Sequence, residues 1–439
     1  MHPVKVPTPR RPRLVRALVA AVAVLPVALG AAACGDDDSG SGKTEISIFW
    51  WGADGRAQIT QKALDLYQSK HPDVVFKPTW QGNQGYFEKL ATQAAGGNAP
   101  DIFQIDDNFL GEYSARGIAM DLSPLVSSNK IDLSKFPESL ARYGQVDGKQ
   151  FGIATGENTP GMVYDKTLLQ QLKLPEPKTG MSWDELIDWG AQVTAAAEKA
   201  GLKNVYGTMD PSADYKAFWM WLRQQGKQLY NGSQLGFTEA DVQKWFELWQ
   251  GAAAKKATPT ADLIHAANGG DATKQLVVTK NAATSFMWSN QMPDLSKNTD
   301  HELGVVAYPG DPSAQWARAA LYWSAFKGTK HPDVVADVIN FFVNDPEAAK
   351  ILGTDRGLPS NLDLRKAIEA DLSPQMKTTV AFENEMTPKF GQAPPPPIKG
   401  HSGVRAALVK AAETVSYKQA SPAEAAAAFV ADAKAAIGG

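Results

Sequence analysis

Residues 96–108 read Gly-Gly-Asn-Ala-Pro-Asp-Ile-Phe-Gln-Ile-Asp-Asp-Asn, and the architecture is read outward from them. Gly96, Gly97 and Asn98 tolerate the left-handed backbone that closes a helix, and Pro100 forbids its continuation. Ile102, Phe103 and Ile105 then make a short apolar strand of the kind buried in a parallel sheet, with Asp106, Asp107 and Asn108 at its carboxyl end. Open α/β sheets bind ligands beyond the carboxyl ends of their strands, so this stretch predicts an architecture and a place.

Toward the N-terminus, residues 45–51 alternate and are rich in isoleucine and aromatics, which predicts a first strand followed by the loop Gly52-Ala53-Asp54-Gly55. Ile59, Ala63, Leu64 and Tyr67 have helical spacing up to Pro72, residues 74–78 read as a second strand, and 87–95 as a helix leading into the opening stretch. Strand, helix, strand, helix, strand is the doubly wound α/β pattern.

Toward the C-terminus, residues 151–154 read as another strand, and the polar segment 157–160 as a crossing into a second lobe. Ser182 with Glu185 forms a capping box, and Thr238 starts a further helix. Strands are expected at 282–288, 304–308 and 321–326, and the helix 332–343 suggests a return to the first lobe. Residues 356–360 read as a second crossing, Pro394 to Pro397 as extended polyproline, and two helices close the chain, the last capped by Ser421, Pro422 and Glu424. Lys-His-Pro-Asp-Val-Val occurs at 70–75 and again at 330–335, once ending a helix and once beginning one, which reads as coincidence rather than duplication.

At 439 residues the chain is long enough for two lobes, and 44% hydrophobic with 21% charged residues is the composition of a soluble globular protein. The formal charge of −3 hides an asymmetry: residues 1–33 carry Lys5, Arg10, Arg11, Arg13 and Arg16 and no acid. Without those five, 39 basic residues face 47 acidic ones, a balance of −8 that argues against a nucleic-acid partner. The basic residues precede an apolar run over 17–33 that ends in small residues, the pattern of an export signal; at about 17 residues it is near the lower limit for a membrane span. Cys34, the only cysteine, follows Ala31-Ala32-Ala33 and precedes a solvated run over 35–42.

No metal-binding spacing joins His2, His71, His265, His301, His331 and His401, and neither a phosphate loop nor a serine nucleophile elbow is present. A glycosidase needs two carboxyl groups about 5–9.5 Å apart across a bond. Asp106 and Asp107 are adjacent and in extended backbone point to opposite faces, although Asp54, Asp106 and Glu157 remain able to meet in a cleft. Fixed acceptors for hydroxyl groups are the simpler reading of these acids, with helix capping as the competing one. Twelve tryptophans suit sugar rings, whose C–H faces pack on indole while their hydroxyls need amides and carboxylates. Trp183, Trp189, Trp245 and Trp249 have helical spacing and are assigned to packing, whereas Trp51, Trp288 and Trp323 end or follow apolar strands and are candidates for the site. Arg356 either grips a hydroxyl pair or braces a hinge.

Leu29-Gly30-Ala31-Ala32-Ala33-Cys34 resembles a bacterial lipobox, with Ala31 where leucine is usual. Together with residues 46–52, 97–106, 151–164, 285–290 and 356–360 it makes the whole mature chain resemble the family 1 extracellular solute-binding proteins, lipoproteins that deliver sugars to ABC importers and are related in fold to maltose-binding protein. The resemblance implies an α/β, two-lobed periplasmic-binding-protein type II fold with a hinge and interlobe cleft, no catalysis and no cofactor. It implies a signal peptide over 1–33, a tether over 34–43, a first lobe from 44–155 and 307–358, and a second from 156–306 and 359–439. Lipid on Cys34 would hold a monomer to the outer face of the cytoplasmic membrane, where it meets the permease subunits of an ABC transporter. Trp51, Gly52, Asp54, Asp106, Asp107, Glu157, Asn158, Trp288, Trp323 and Arg356 match cleft-lining positions, with Gln81, Asn83 and Trp219 as further candidates. A receptor for a polyamine, peptide or other polar solute, and a surface glycan hydrolase, are the alternatives.

Overall fold

The computed structural model describes residues 42–52, 54–82, 85–268 and 271–438. The segment expected to be an export leader, Cys34, most of the expected tether and Asn83 lie outside them.

Strand β1 (Thr44–Trp51) is followed by helix α1 (Asp54–Lys70), strand β2 (Val74–Gln81), helix α2 (Tyr86–Ala95), strand β3 (Ile102–Ile105) and helix α3 (Asp107–Ala115). The period of two in β1 places Ile46, Ile48 and Trp50 in one apolar core and Phe49 and Trp51 in another, so both faces of the strand are covered. Helix α1 buries Ala57, Thr60, Ala63, Leu64 and Tyr67; of the four residues whose spacing predicted it, Ile59 is only half-buried. Gly97 closes α2 with φ of 73°, whereas Gly96 keeps an ordinary negative φ. Strand β2 runs three residues past its expected end at Pro78; it is an edge strand, where the missing proline N–H costs no ladder bond.

Further along lie strands β4 (Ile153–Ala154), β5 (Gly156–Glu157) and β6 (Pro160–Asp165), then helices α4 (Trp183–Lys199), α5 (Tyr215–Gln224) and α6 (Glu239–Ala254). Strands β7 (Thr284–Trp288), β8 (Leu303–Val306) and β9 (Tyr322–Ala325) precede helix α7 (Pro332–Asn344). Strand β10 (Leu358–Pro359) leads into helices α8 (Leu362–Ile368), α9 (Pro374–Met386), α10 (His401–Ser416) and α11 (Pro422–Gly438).

The first sheet has the order β2-β1-β3-β9-β4, with β1 parallel to β2 and β3, and β9 antiparallel to its neighbours. The second is antiparallel, β7-β6-β8, with every residue of β6 buried. Beside it Trp183, Trp245 and Trp249 pack edge to face with centroids 5.3–5.9 Å apart, as their helical spacing requires. The capping boxes at Ser182 and Thr238 are both closed, the latter through Asp241.

Between the sheets, β5 pairs with β10 and Glu157 also bridges to Ala319, so three passes of the chain meet there. A Cβ on Gly156 would lie 2.6 Å from the Arg356 carbonyl oxygen, and Gly357 has φ of 93°, so two glycines set this close approach. Among the described residues, no helix is long and apolar enough to cross a membrane.

Candidate functional site

Strand β3 ends at Ile105, and Asp106 becomes the N-cap of α3, its carboxylate accepting the backbone N–H (3.0 Å) and side-chain amide (3.1 Å) of Asn108. Burial, with the charge of Asp107 beside it, pushes its pKa up to about 6. Of the two adjacent acids, Asp106 thus takes the capping role that competed with ligand binding. Asp107 instead turns inward and binds Arg318 bidentately, with Nε donating at 2.7 Å and a terminal nitrogen donating to the other oxygen. Burial opposes its charge, but Arg318 outweighs this and holds its pKa below the ordinary value. Tyr143 donates a longer bond of 3.4 Å to the same carboxylate.

The guanidinium of Arg318 also lies 4.7 Å from the ring centre of Trp288, which ends β7 in the second sheet. Lys216 Nζ approaches the same ring at 4.9 Å. Lys216 is tied at 2.8 Å to Asp214, the N-cap of α5, whose other oxygen accepts from Tyr308 at 2.9 Å. Burial lowers the Lys216 pKa and Asp214 opposes that effect. Trp288, Lys216, Asp214, Tyr215 and Arg405 line one cavity of about 470 Å³, a size suited to a small organic molecule. His401, at the start of α10 behind it, bonds the Tyr230 hydroxyl at 2.6 Å, and burial, with Arg405 nearby, lowers its pKa to about 4. Tyr143, which reaches Asp107, lines a second cavity of about 860 Å³ with Arg142, Gln392 and the proline run from Pro394.

Thus Asp107 and Trp288, far apart in sequence, are joined through Arg318, and Asp106 stands beside them. Other candidates are placed elsewhere. Trp323 is 1% exposed, stacked on Phe342 in the core on the other side of the first sheet, so its position near a strand end does not bring it to a cleft. Arg356 braces: it donates to Gln104 (2.8 Å) and Thr60 (2.9 Å), lies over Trp323, and burial together with Arg56 lowers its pKa to about 9. Trp219 is buried in α5 against Trp316, its indole N–H on Gln228. Glu157 is fully buried and paired with Arg365 at 2.7 Å, so its carboxylate is spent inside the junction. It faces Glu383, whose pKa is raised well above the ordinary value by burial and by Glu157. Asn158 donates its backbone N–H to the Arg318 carbonyl at 2.8 Å, which fixes the loop carrying Arg318.

In the first-strand loop, Trp51 packs against Tyr86 and Phe87, and a side chain on Gly52 would collide with Arg56. Asp54 sits exposed in the first turn of α1, where its charge favours the helix dipole, and Gln81 ends β2 half-buried. Lys216, Arg318, Arg405 and Tyr215 were missed from sequence. Asp214 as an N-cap after Pro211 offered a local signal for Lys216, while Arg318 offered only its place between two predicted strands. Among the described residues, no group of three His, Cys, Asp or Glu side chains is placed to hold a metal ion.

The family model for bacterial extracellular solute-binding proteins matches residues 62–384. The diacetylchitobiose binding protein DasA of Streptomyces coelicolor is 29% identical over 176 residues, 37% of this chain and 40% of that protein. The maltodextrin-binding protein MdxE of Bacillus subtilis is 23% identical over 365 residues, 77% of this chain and 79% of that protein. The similarity to DasA therefore spans less than half of its length. In structure, an extracellular solute-binding protein family 1 from Alicyclobacillus acidocaldarius is superposable with a TM-score of 0.75 at 23% identity, over 90% of this chain and 99% of that one.

Proposed function

The chain belongs to the bacterial extracellular solute-binding proteins, and on that premise we propose that it is a receptor that takes a sugar or oligosaccharide between its two lobes and delivers it to an ABC importer. The single observation that carries this reading is the Asp107–Arg318–Trp288 chain, which joins the end of a first-sheet strand to the end of a second-sheet strand beside a cavity of about 470 Å³. Carboxylate, guanidinium and indole are the groups that hold hydroxyls and a C–H ring face, and Asp214, Arg405 and Trp288 bring all three to the wall of that cavity. That DasA and MdxE are named for diacetylchitobiose and maltodextrin supports a carbohydrate.

On this reading the lobes comprise 44–155 with 307–358 and 156–306 with 359–439, and β5 and β10 are the strands about which they hinge. The ligand set is Trp288, Lys216 and Tyr215 at the cavity wall, with Asp106, Asp107 and Arg318 behind it; Trp51, Gly52, Asp54, Gln81 and Asn158 stand at its margins, and Asn83 lies outside the described residues. Lipid on Cys34 anchors the protein outside the cytoplasmic membrane, and no covalent step is performed on the ligand.

The test is the melting temperature of the purified protein against mono- and oligosaccharides, amino acids and polyamines. A ligand specific to the folded state adds about 2.7 kcal/mol at a hundred times its dissociation constant. A selective rise with one glycan class supports the reading; a rise with amines or peptides alone overturns the sugar.

A further inference from the structure

The cavity that Trp288 lines carries an unequal count of charges. Its ionisable lining consists of Asp214, Lys216 and Arg405. Asp214 is already committed, with one oxygen on Lys216 Nζ and the other on the Tyr308 hydroxyl. Arg405, exposed on α10, has no carboxylate within ion-pair distance among the described residues; its guanidinium lies over the Tyr215 ring at 4.6 Å. Behind this wall Arg318 and Asp107 neutralise each other, and His401 is held neutral by burial. Asp106, next to Asp107 in the chain, caps α3 and does not line the cavity.

Two cations therefore face one carboxylate across a space whose other walls include Met209, Phe286, Met287 and Trp288. Apolar walls weaken the screening that water gives a surface arginine, and an unpaired guanidinium there favours a ligand carrying the missing negative charge. We propose that the solute is an acidic sugar, with its carboxylate on Arg405, Lys216 as a second cation, and its ring near Trp288. This rests on the receptor reading and narrows it to a substrate class. A carboxylate matches the planar fork of the guanidinium in a way that a neutral hydroxyl does not.

The experiment is titration calorimetry of the full protein with digalacturonate, a glucuronate disaccharide and sialyllactose, each beside a neutral partner: galactobiose, cellobiose and lactose. At least one acidic glycan binds roughly tenfold or more tighter than its neutral counterpart, and its affinity falls as salt is raised toward about 0.5 M. In Arg405→Gln that preference falls by roughly tenfold while the unliganded melting temperature stays unchanged, as expected for an exposed side chain. Tighter binding of the neutral member of every pair, or an acidic ligand indifferent to Arg405→Gln, overturns the acidic-sugar assignment and leaves the receptor standing. Binding of no glycan from either class overturns both.

Discussion

Asp107 and Arg318 are 211 residues apart in sequence and make a bidentate ion pair, one opening a helix at a strand's carboxyl end and the other in the loop ahead of β9. The pair is nearly dry, with side chains 5% and 12% exposed. Its two members position each other, and Arg318 is in turn laid beside Trp288. The site is thus held by a contact that neither local segment specifies alone.

Removing one member strands the other. Arg318→Ala is expected to cost about 3 kcal/mol, because a buried carboxylate loses its counter-charge. The double variant Asp107→Asn with Arg318→Ala should cost less than the sum of its parts. Urea unfolding of the four proteins measures this coupling. Because the pKa of Asp107 is lowered in the fold, its contribution is present above the ordinary carboxylate pKa and is lost as pH falls through its lower folded value.

Asp210 gives the opposite slope. It is buried, accepts the Ser212 N–H at 2.7 Å, and burial raises its pKa to about 6. The folded state binds this proton more tightly than the unfolded chain, so stability falls as pH rises from about 4 to about 6. Asp210→Asn keeps an acceptor for Ser212 and removes the charge, so it should add about 1–3 kcal/mol at pH 7 and flatten that part of the profile. Thermal melts across pH 4–7 on both proteins decide it. His401, lowered to about 4, contributes in the other direction and is unaltered by the substitution.

Trp288 is only partly buried at the end of β7. Trp288→Ala is expected to weaken ligand binding at least tenfold, about 1.4 kcal/mol, with a smaller loss of stability than a core tryptophan would give. Calorimetry with whichever glycan raises the melting temperature reads the first quantity, and denaturation the second. Unchanged affinity removes Trp288 from the site.

At the junction, Gly156→Ala would drive a methyl group to within 2.7 Å of two backbone oxygens, those of Arg356 and Leu358. The backbone must yield, at a cost of about 1–3 kcal/mol. On the hinge reading, ligand-dependent compaction in small-angle scattering should also shrink, whereas an equal change in the variant and the parent would remove Gly156 from the hinge.

The first strands and helices of the chain, and the capping boxes at Ser182 and Thr238, were legible because their signals are local. Gly97, Pro100 and the Ile-Phe-Gln-Ile run sit within one turn of the features they create. Trp323 was misplaced because its strand lies between β3 and β4, where both faces are covered, and nearness to a strand end does not tell an interior strand from an open one. Glu157 was placed in the cleft because its polarity marks the crossing, but the partner that consumes its charge, Arg365, is 208 residues away. Arg318 and Arg405 went unread for the same reason: what makes them notable is a partner supplied, or withheld, by distant chain.

Strand β9 occupies the slot between β3 and β4, pairing with both. The first sheet therefore lacks a central plank until residue 325 has been made and brought back. A chain threaded N-terminus first through an export channel emerges with the β3 edge unsatisfied while roughly half its length follows, and contacts of such long sequence separation form late and slowly. That interval, rather than the finished structure, is when Ile102, Phe103 and Ile105 are open to pairing with the wrong neighbour.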